Sequence, residues 1–75
     1  MDQAVTLDMS GDLALVLLAL VARLNQDESV LFEDQAEQRA LWDLESLLES
    51  SIAAVLSPDY HSLLREARER LRDNE

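Results

Sequence analysis

The sequence predicts an all-α fold: a small three-helix bundle with a long central helix, forming one domain over residues 1–75. Residues 33–56 contain neither glycine nor proline and repeat apolar residues at helical spacing. Two further segments of helical length, one on each side, carry the same kind of periodicity. Hydrophobic residues make up 48% of the chain, and one glycine and one proline occur in 75 residues. This composition is typical of a compact helical protein and argues against disorder.

The N-terminal residues 1–9 precede the first helix and have a different pattern. Val5, Leu7 and Met9 alternate with polar residues, which is the period of a strand. A single short strand has no evident partner within this chain. We therefore expect extended packing over the helices, with pairing to a symmetry mate as the alternative.

Helix one is predicted over about residues 12–25. Ser10, or Asp8 in another register, can cap its first turn, where the helix dipole also favours Asp12. Apolar residues lie on nearly all sides of this helix, so two partner helices should cover it, and any remainder should form a subunit interface. The main stripe that we expect to be buried consists of Leu13, Val16, Leu17, Leu20, Val21 and Leu24.

Helix two is predicted over about residues 33–56, after a solvated connection at residues 25–29. Glu33 or Asp34 caps it, and Asp34 and Glu37 have the spacing of a capping box. Its expected buried face consists of Ala36, Ala40, Leu41, Leu44, Leu47, Leu48, Ser51, Ile52 and Val55.

Trp42 does not fit the pattern of helix two, because it falls on the polar face. Another segment, such as residues 1–9, can cover it, or it can be presented to a partner, since tryptophan is enriched at binding hot spots. We expect coverage by the protein's own chain.

Helix three is predicted over about residues 58–72, with Ser57 as its cap. Four of the six arginines lie on it, and three of them share one flank with His61: Arg65, Arg68 and Arg72. Helix pairs such as Glu66–Arg70 explain these charges as a solvated face. Contact of the arginine flank with the acidic region 27–37 of another subunit is the alternative.

The charge and the missing motifs exclude several classes of function. Sixteen acidic residues stand against six arginines and no lysine, a net charge of −10 that disfavours nucleic-acid binding. The absence of cysteine removes disulfides and thiolate sites. No phosphate-binding loop, nucleophile elbow, calcium loop or di-iron motif occurs, so we expect no enzyme, metal site or cofactor. The longest apolar run, Leu13–Ala22, is about half of what a bilayer span requires.

Two segments, EDQAEQRALWDLE (33–45) and SPDYHSLLREAR (57–68), resemble a set of short bacterial proteins of uncharacterised function. The similarity extends over roughly residues 12–73, and Glu33–Arg39 and Ser57–Tyr60 carry most of it. The resemblance implies a self-contained helical domain and supplies no activity or functional residues.

These observations predict a non-enzymatic, cytoplasmic, protein-binding or regulatory protein that forms a homodimer. A possible role is that of an immunity or antitoxin-like protein that neutralises a basic partner. The alternatives are an oligomerisation module without an outside ligand and a small carboxylate-dependent metal protein or enzyme. The predicted partner-binding residues are Asp27, Glu28, Glu33, Asp34, Glu37 and Trp42.

Overall fold

A computed structural model describes residues 3–52 and 56–73 of the chain. Three helices form the described part: α1 (Gly11–Gln26), α2 (Gln35–Ser51) and α3 (Tyr60–Asp73). No strand occurs in these two ranges. The predicted all-α class with three helices is confirmed.

The first two helices begin where side chains satisfy free backbone amides. Ser10 caps α1 and accepts a hydrogen bond from the first turn at 3.1 Å, as predicted. Asp34 caps α2 and accepts from the amide of Ala36 at 2.7 Å. The carboxylate of Glu37 accepts from the amide of Glu33 at 2.7 Å, one residue earlier than in a capping box.

The last turn of α2 ends earlier than predicted. The helix stops at Ser51, and Ile52 already has an extended backbone. The hydroxyls of Ser50 and Ser51 both donate to the carbonyl oxygen of Leu47, at 3.0 and 2.8 Å, and such bonds compete with the backbone ladder. The predicted continuation over residues 53–55 lies outside the described residues.

Helix α3 begins two residues later than predicted. The Ser57 hydroxyl accepts from the amide of Asp59 at 3.1 Å, so it stabilises a turn ahead of the helix. The carbonyl oxygen of Asp59 then accepts from the amide of Leu63 at 2.9 Å, which is the first bond of the helix. Pro58 therefore lies in the turn, where it needs no amide hydrogen.

The predicted long central helix is present as the longest helix and the middle one in sequence, but it is not central in the packing. Helix α2 is the middle helix in sequence and, at 17 residues against 16 for α1, the longest. In space α1 is central, because it contacts both α2 and α3, whereas the described parts of α2 and α3 do not contact each other. A helix that is apolar nearly all round is stabilised by two partners, which explains its central place.

The core is small and includes only part of the predicted main stripe of α1, because Val21 is buried whereas other members of the stripe are not. Leu13 and Leu20, from the expected main stripe, are each 41% exposed. Leu15 and Leu18, from the opposite side, are buried because α2 and α3 approach from that side. The buried residues of the described ranges are Leu15, Leu18, Val21, Leu48, Leu64 and Ala67.

Two polar contacts tie α1 to its neighbours. The side-chain amide of Asn25 donates to the Leu41 carbonyl oxygen at 3.2 Å and to the Glu45 carboxylate at 2.6 Å. Asn25 thus belongs to the α1–α2 contact, which corrects its assignment to a solvated connection. Arg70, expected to pair with Glu66 on its own helix, makes two bonds of 2.9 Å to the Asp12 carboxylate.

Candidate functional site

The N-terminal segment 3–10 has no regular secondary structure and leaves its apolar side chains largely uncovered. Val5 and Leu7 are 77% and 75% exposed, whereas Met9 is half-buried. Neither strand pairing nor close packing over the helices occurs in this segment. The expected extended packing is therefore only partial, and it leaves an opening between the segment and the helices.

This opening is an apolar groove between the N-terminal segment, the start of α1 and the second half of α2. Its volume is about 610 Å³, and Asp8 is the charged residue among those that line it. Leu47, on the face of α2 that was predicted to be buried, is 65% exposed at its edge. The lining residues are Val5, Leu7, Asp8, Met9, Gly11, Ala14, Leu44, Leu47, Leu48, Ser51 and Ile52.

This groove was not predicted from the sequence, although two features of the sequence indicated it. The alternation of Val5, Leu7 and Met9 indicated apolar side chains without a partner strand. The predicted apolar face of α2 was also wider than one neighbouring helix covers. Together these features predict an apolar opening only when it is known that α3 does not pack against α2.

A row of leucines continues along the outer side of α1. Leu13, Leu17, Leu20 and Leu24 follow the spacing i, i+4, i+7 and i+11 and therefore share one face of the helix. Leu13 and Leu20 are exposed, and Leu17 and Leu24 are partly so. We call this row the leucine stripe.

Beyond the leucine stripe, on the α3 side, is a second and smaller depression. It has a volume of about 250 Å³ and is lined by Val16 of α1 with Arg68, Leu71 and Arg72 of α3. Both arginines are exposed. The stripe is thus bordered by positive charge on its α3 side.

The predicted acidic residues form an exposed segment at the other end of α1, which we call the acidic segment. Asp27 and Glu28 follow α1 directly, and Glu33, Asp34 and Glu37 surround the start of α2; all five are exposed. The structure therefore brings these five carboxylates to one loop and the helix start that follows it.

Three of the five carboxylates also have structural roles. Asp27 accepts from the hydroxyl and the amide of Ser29, at 2.6 and 2.9 Å, and these bonds, chiefly the one from the hydroxyl, lower its pKa. Asp34 and Glu37 accept from backbone amides at the start of α2. A substitution at any of these three positions therefore removes a hydrogen bond of the backbone structure as well as a negative charge.

Trp42 is 48% exposed, so the expected cover by its own chain is incomplete. The N-terminal segment lines the groove beside Leu47 instead. Five residues separate Trp42 from Leu47, and five from Glu37, which places each pair about 140° apart around α2 at ~100° per residue. Trp42 and Glu37 therefore lie on different faces, and the predicted site residues form two surfaces instead of one.

The single histidine and the acidic side chains are the groups that catalysis or metal binding would use in this chain. His61 is exposed, and its ring meets that of Tyr60 edge to face, with centroids 5.6 Å apart. Within residues 3–52 and 56–73, no group of three or more His, Cys, Asp or Glu side chains is arranged to hold a metal ion. None of the helices described is long and apolar enough to cross a bilayer.

Comparison with known proteins finds no matching family model, no matching curated protein and no matching solved structure.

The accessible surface of the molecule is large for its size. A compact folded monomer of 8.5 kDa exposes roughly 4,700 Å² by the usual scaling of area with mass. This chain exposes 6298 Å², roughly 1,600 Å² above that scaling. Its radius of gyration, 13.7 Å, likewise exceeds the ~11 Å of a compact chain of this length. The chain therefore exposes more surface and is less compact than a typical monomer of its length.

Proposed function

We propose that this chain is a non-enzymatic, cytoplasmic protein that acts by binding other protein surfaces, and that it does so as a homodimer. The observation that carries the proposal is the excess of accessible surface together with the exposed apolar side chains of the groove and the leucine stripe. Contiguous apolar surface of this kind marks interaction sites on soluble proteins. A chain of 75 residues, in which six core residues are buried within residues 3–52 and 56–73, also gains stability by association.

The outside partner that fits the charge is a basic protein. The acidic segment carries five exposed carboxylates within the eleven residues from Asp27 to Glu37, in a chain of net charge −10. Such a potential steers a positively charged surface toward the segment and raises its association rate. In this role the protein acts as an immunity or antitoxin-like neutraliser that binds through the acidic segment, while the exposed Trp42 offers a separate aromatic contact on another face of α2.

An oligomerisation module without an outside ligand is the second candidate, and the same excess of surface favours it. The two candidates differ in what the acidic segment does. In the module the acidic segment serves only solubility and helix capping, so removing its charge leaves every binding reaction unchanged.

Capture experiments with the purified protein separate these candidates. Glu28 and Glu33 are the positions to change, because Asp27 and Asp34 also hold the turn and the cap. The matched control is Glu66→Gln with Glu69→Gln, which removes the same charge from exposed positions on α3. Neutralisation of a basic partner predicts capture from a bacterial lysate at low salt that is lost with Glu28→Gln and Glu33→Gln and kept in the control. Equal capture by both variants, or no capture by the wild type, contradicts this role.

The oligomeric state is tested separately by sedimentation of the wild-type protein at micromolar concentration. A homodimer is the expected result. A monomer throughout this range contradicts the homodimer and leaves the capture result to be judged by itself.

A further inference from the structure

We infer that a second copy of this chain docks on one continuous apolar face, formed by the leucine stripe and the groove, with the two α1 helices parallel. The inference rests on the proposed homodimer and says which surface and which orientation it uses.

The face is continuous because the groove and the leucine stripe meet on α1. Ala14 lines the groove, and Leu17 lies three residues further along the helix, where side chains are neighbours. Leu13 and Leu20 then extend the apolar surface along α1. On the α2 side Leu47 extends it across the groove. One partner can therefore cover the exposed leucines of both helices at once.

The chain as a whole has enough excess surface to accommodate a dimer interface. A standard interface removes about 800 Å² from each partner, which is about half of the roughly 1,600 Å² by which this chain exceeds a compact monomer. A second copy has this same apolar face, and two-fold symmetry pairs a patch with itself. A homodimer therefore supplies a matching apolar surface without any further molecule.

The two sides of the leucine stripe carry opposite charges. On the α3 side, Arg68 and Arg72 border Val16. Arg23 lies on that same side, because it follows Val16 by seven residues, two turns of the helix. On the α2 side, Asp8 lines the groove, as does Ala14, and Asp8 precedes the first residue of α1 by three positions, so it lies near the start of the helix.

These charges distinguish the two ways of placing a two-fold axis in the interface. An axis parallel to α1 brings the α3 side of each copy opposite the α2 side of the other at the same height. Arg68 and Arg72 then face Asp8 of the second copy. An axis perpendicular to α1 brings each α3 side opposite its own equivalent, where the arginines meet Arg23. Like charges across an interface are unfavourable, so the charges that border the leucine stripe favour the parallel arrangement.

The apolar part of the inference is tested with Leu20→Gln and Leu47→Gln, both at exposed positions that the monomer fold does not bury. The matched control is Leu31→Gln, because Leu31 is 94% exposed and lies in the connection between α1 and α2. Sedimentation equilibrium should give a dimer dissociation constant raised by about tenfold or more for the first two variants and unchanged for the control. Circular dichroism checks that each variant keeps its helix content.

A wild-type dimer that Leu20→Gln and Leu47→Gln leave unchanged overturns the docking face and leaves the homodimer standing. A monomeric wild-type protein overturns both. The two failures are therefore distinguishable in one series of measurements.

The orientation is tested by charge reversal at one low ionic strength. Parallel helices predict that Asp8→Arg weakens the dimer, that Arg68→Glu with Arg72→Glu weakens it, and that combining all three restores it. The expected change is about tenfold in the dissociation constant for the weakened variants. A dimer that tightens with Arg68→Glu and Arg72→Glu alone indicates that the arginines face like charges, which overturns the parallel arrangement.

Discussion

Asn25 gives the sharpest test of how α1 is held against α2. Its side-chain amide donates to a backbone carbonyl of α2 and, at 2.6 Å, to the carboxylate of Glu45. Its own Oδ1 is buried and finds no hydrogen-bond partner among the described residues. Asn25→Ala removes both donated bonds and the unsatisfied oxygen together. The change in the free energy of unfolding therefore measures the net contribution of Asn25, which is the gain from its two hydrogen bonds less the cost of burying the unpaired Oδ1.

The magnitude follows from the two bonds. A hydrogen bond to a charged acceptor is worth about 1.5–3 kcal/mol, and one to a neutral acceptor about 0.5–1.5 kcal/mol. Removal of the buried, unpaired Oδ1 offsets part of the loss, so Asn25→Ala should lower the free energy of unfolding by about 2 kcal/mol. For a domain of this size that corresponds to a fall of about 8–16 °C in the melting temperature.

The assay is thermal unfolding followed by far-UV circular dichroism, at one protein concentration because association changes the melting temperature. The control is Gln26→Ala, at the exposed neighbouring position. An Asn25→Ala variant that melts no lower than the control would refute the assigned role of this contact. Asn25→Asp provides a second check, since it sets a carboxylate against Glu45, destabilises at neutral pH and recovers as acid protonates the new group.

Two further predictions concern the core and the ion pair between α1 and α3. Leu48→Ala should lower the free energy of unfolding by about 2 kcal/mol, the lower end of the range for buried leucines, because the core around it is small. The control is Leu56→Ala at an exposed position, which should change that free energy by less than about 0.5 kcal/mol. Urea unfolding measures both variants. The hydrogen bonds from Arg70 lower the pKa of Asp12, so their stabilisation is present above the ordinary aspartate pKa of about 3.9 and is lost as the pH falls through the lowered folded-state value. The melting temperatures of the wild type and Asp12→Asn should therefore differ at neutral pH and converge in acid; a constant difference would contradict this assignment.

The helix starts were predictable because their determinants are local. Ser10 and Asp34 precede apolar-periodic segments, and each side chain needs only the amides of the next turn to act as a cap. The end of α2 was less predictable. Ser50 and Ser51 compete for the carbonyl oxygen of Leu47, and the apolar pattern continues past them without a visible stop.

The choice of buried side on α1 was not predictable from the sequence. Both sides of this helix are apolar, so periodicity alone gives Leu13 and Leu15 equal claims to the core. The positions of α2 and α3 decide, and they bury Leu15 and leave Leu13 exposed. The same reason explains the missed groove, because the apolar face of α2 requires more covering surface than α1 alone supplies.

Within the predicted site, the exposure of the acidic segment could be predicted from its composition. The position of Trp42 on a different face of α2 from Glu37, outside a common surface, was not predicted. Trp42 was recognised as an exception to the pattern, but its surroundings depend on where residues 3–9 run. The pairing of Arg70 with Asp12 was equally out of reach, since 58 residues separate the two side chains.

The proposed dimer and the proposed partner-binding role support each other through the direction of α1. The groove, with Asp8 and with Arg68 and Arg72 on the other side of the stripe, lies toward the start of α1, and the acidic segment follows its end. Parallel α1 helices therefore bring the acidic segments of both copies to the same end of the dimer. Once a basic partner has bound one acidic segment, the other segment is held close to it at a high effective concentration. A partner that spans both segments therefore binds the dimer more tightly than it would bind one segment. An antiparallel dimer would hold the two segments at opposite ends and lose this gain, so the orientation of the dimer determines how tightly a basic partner is held.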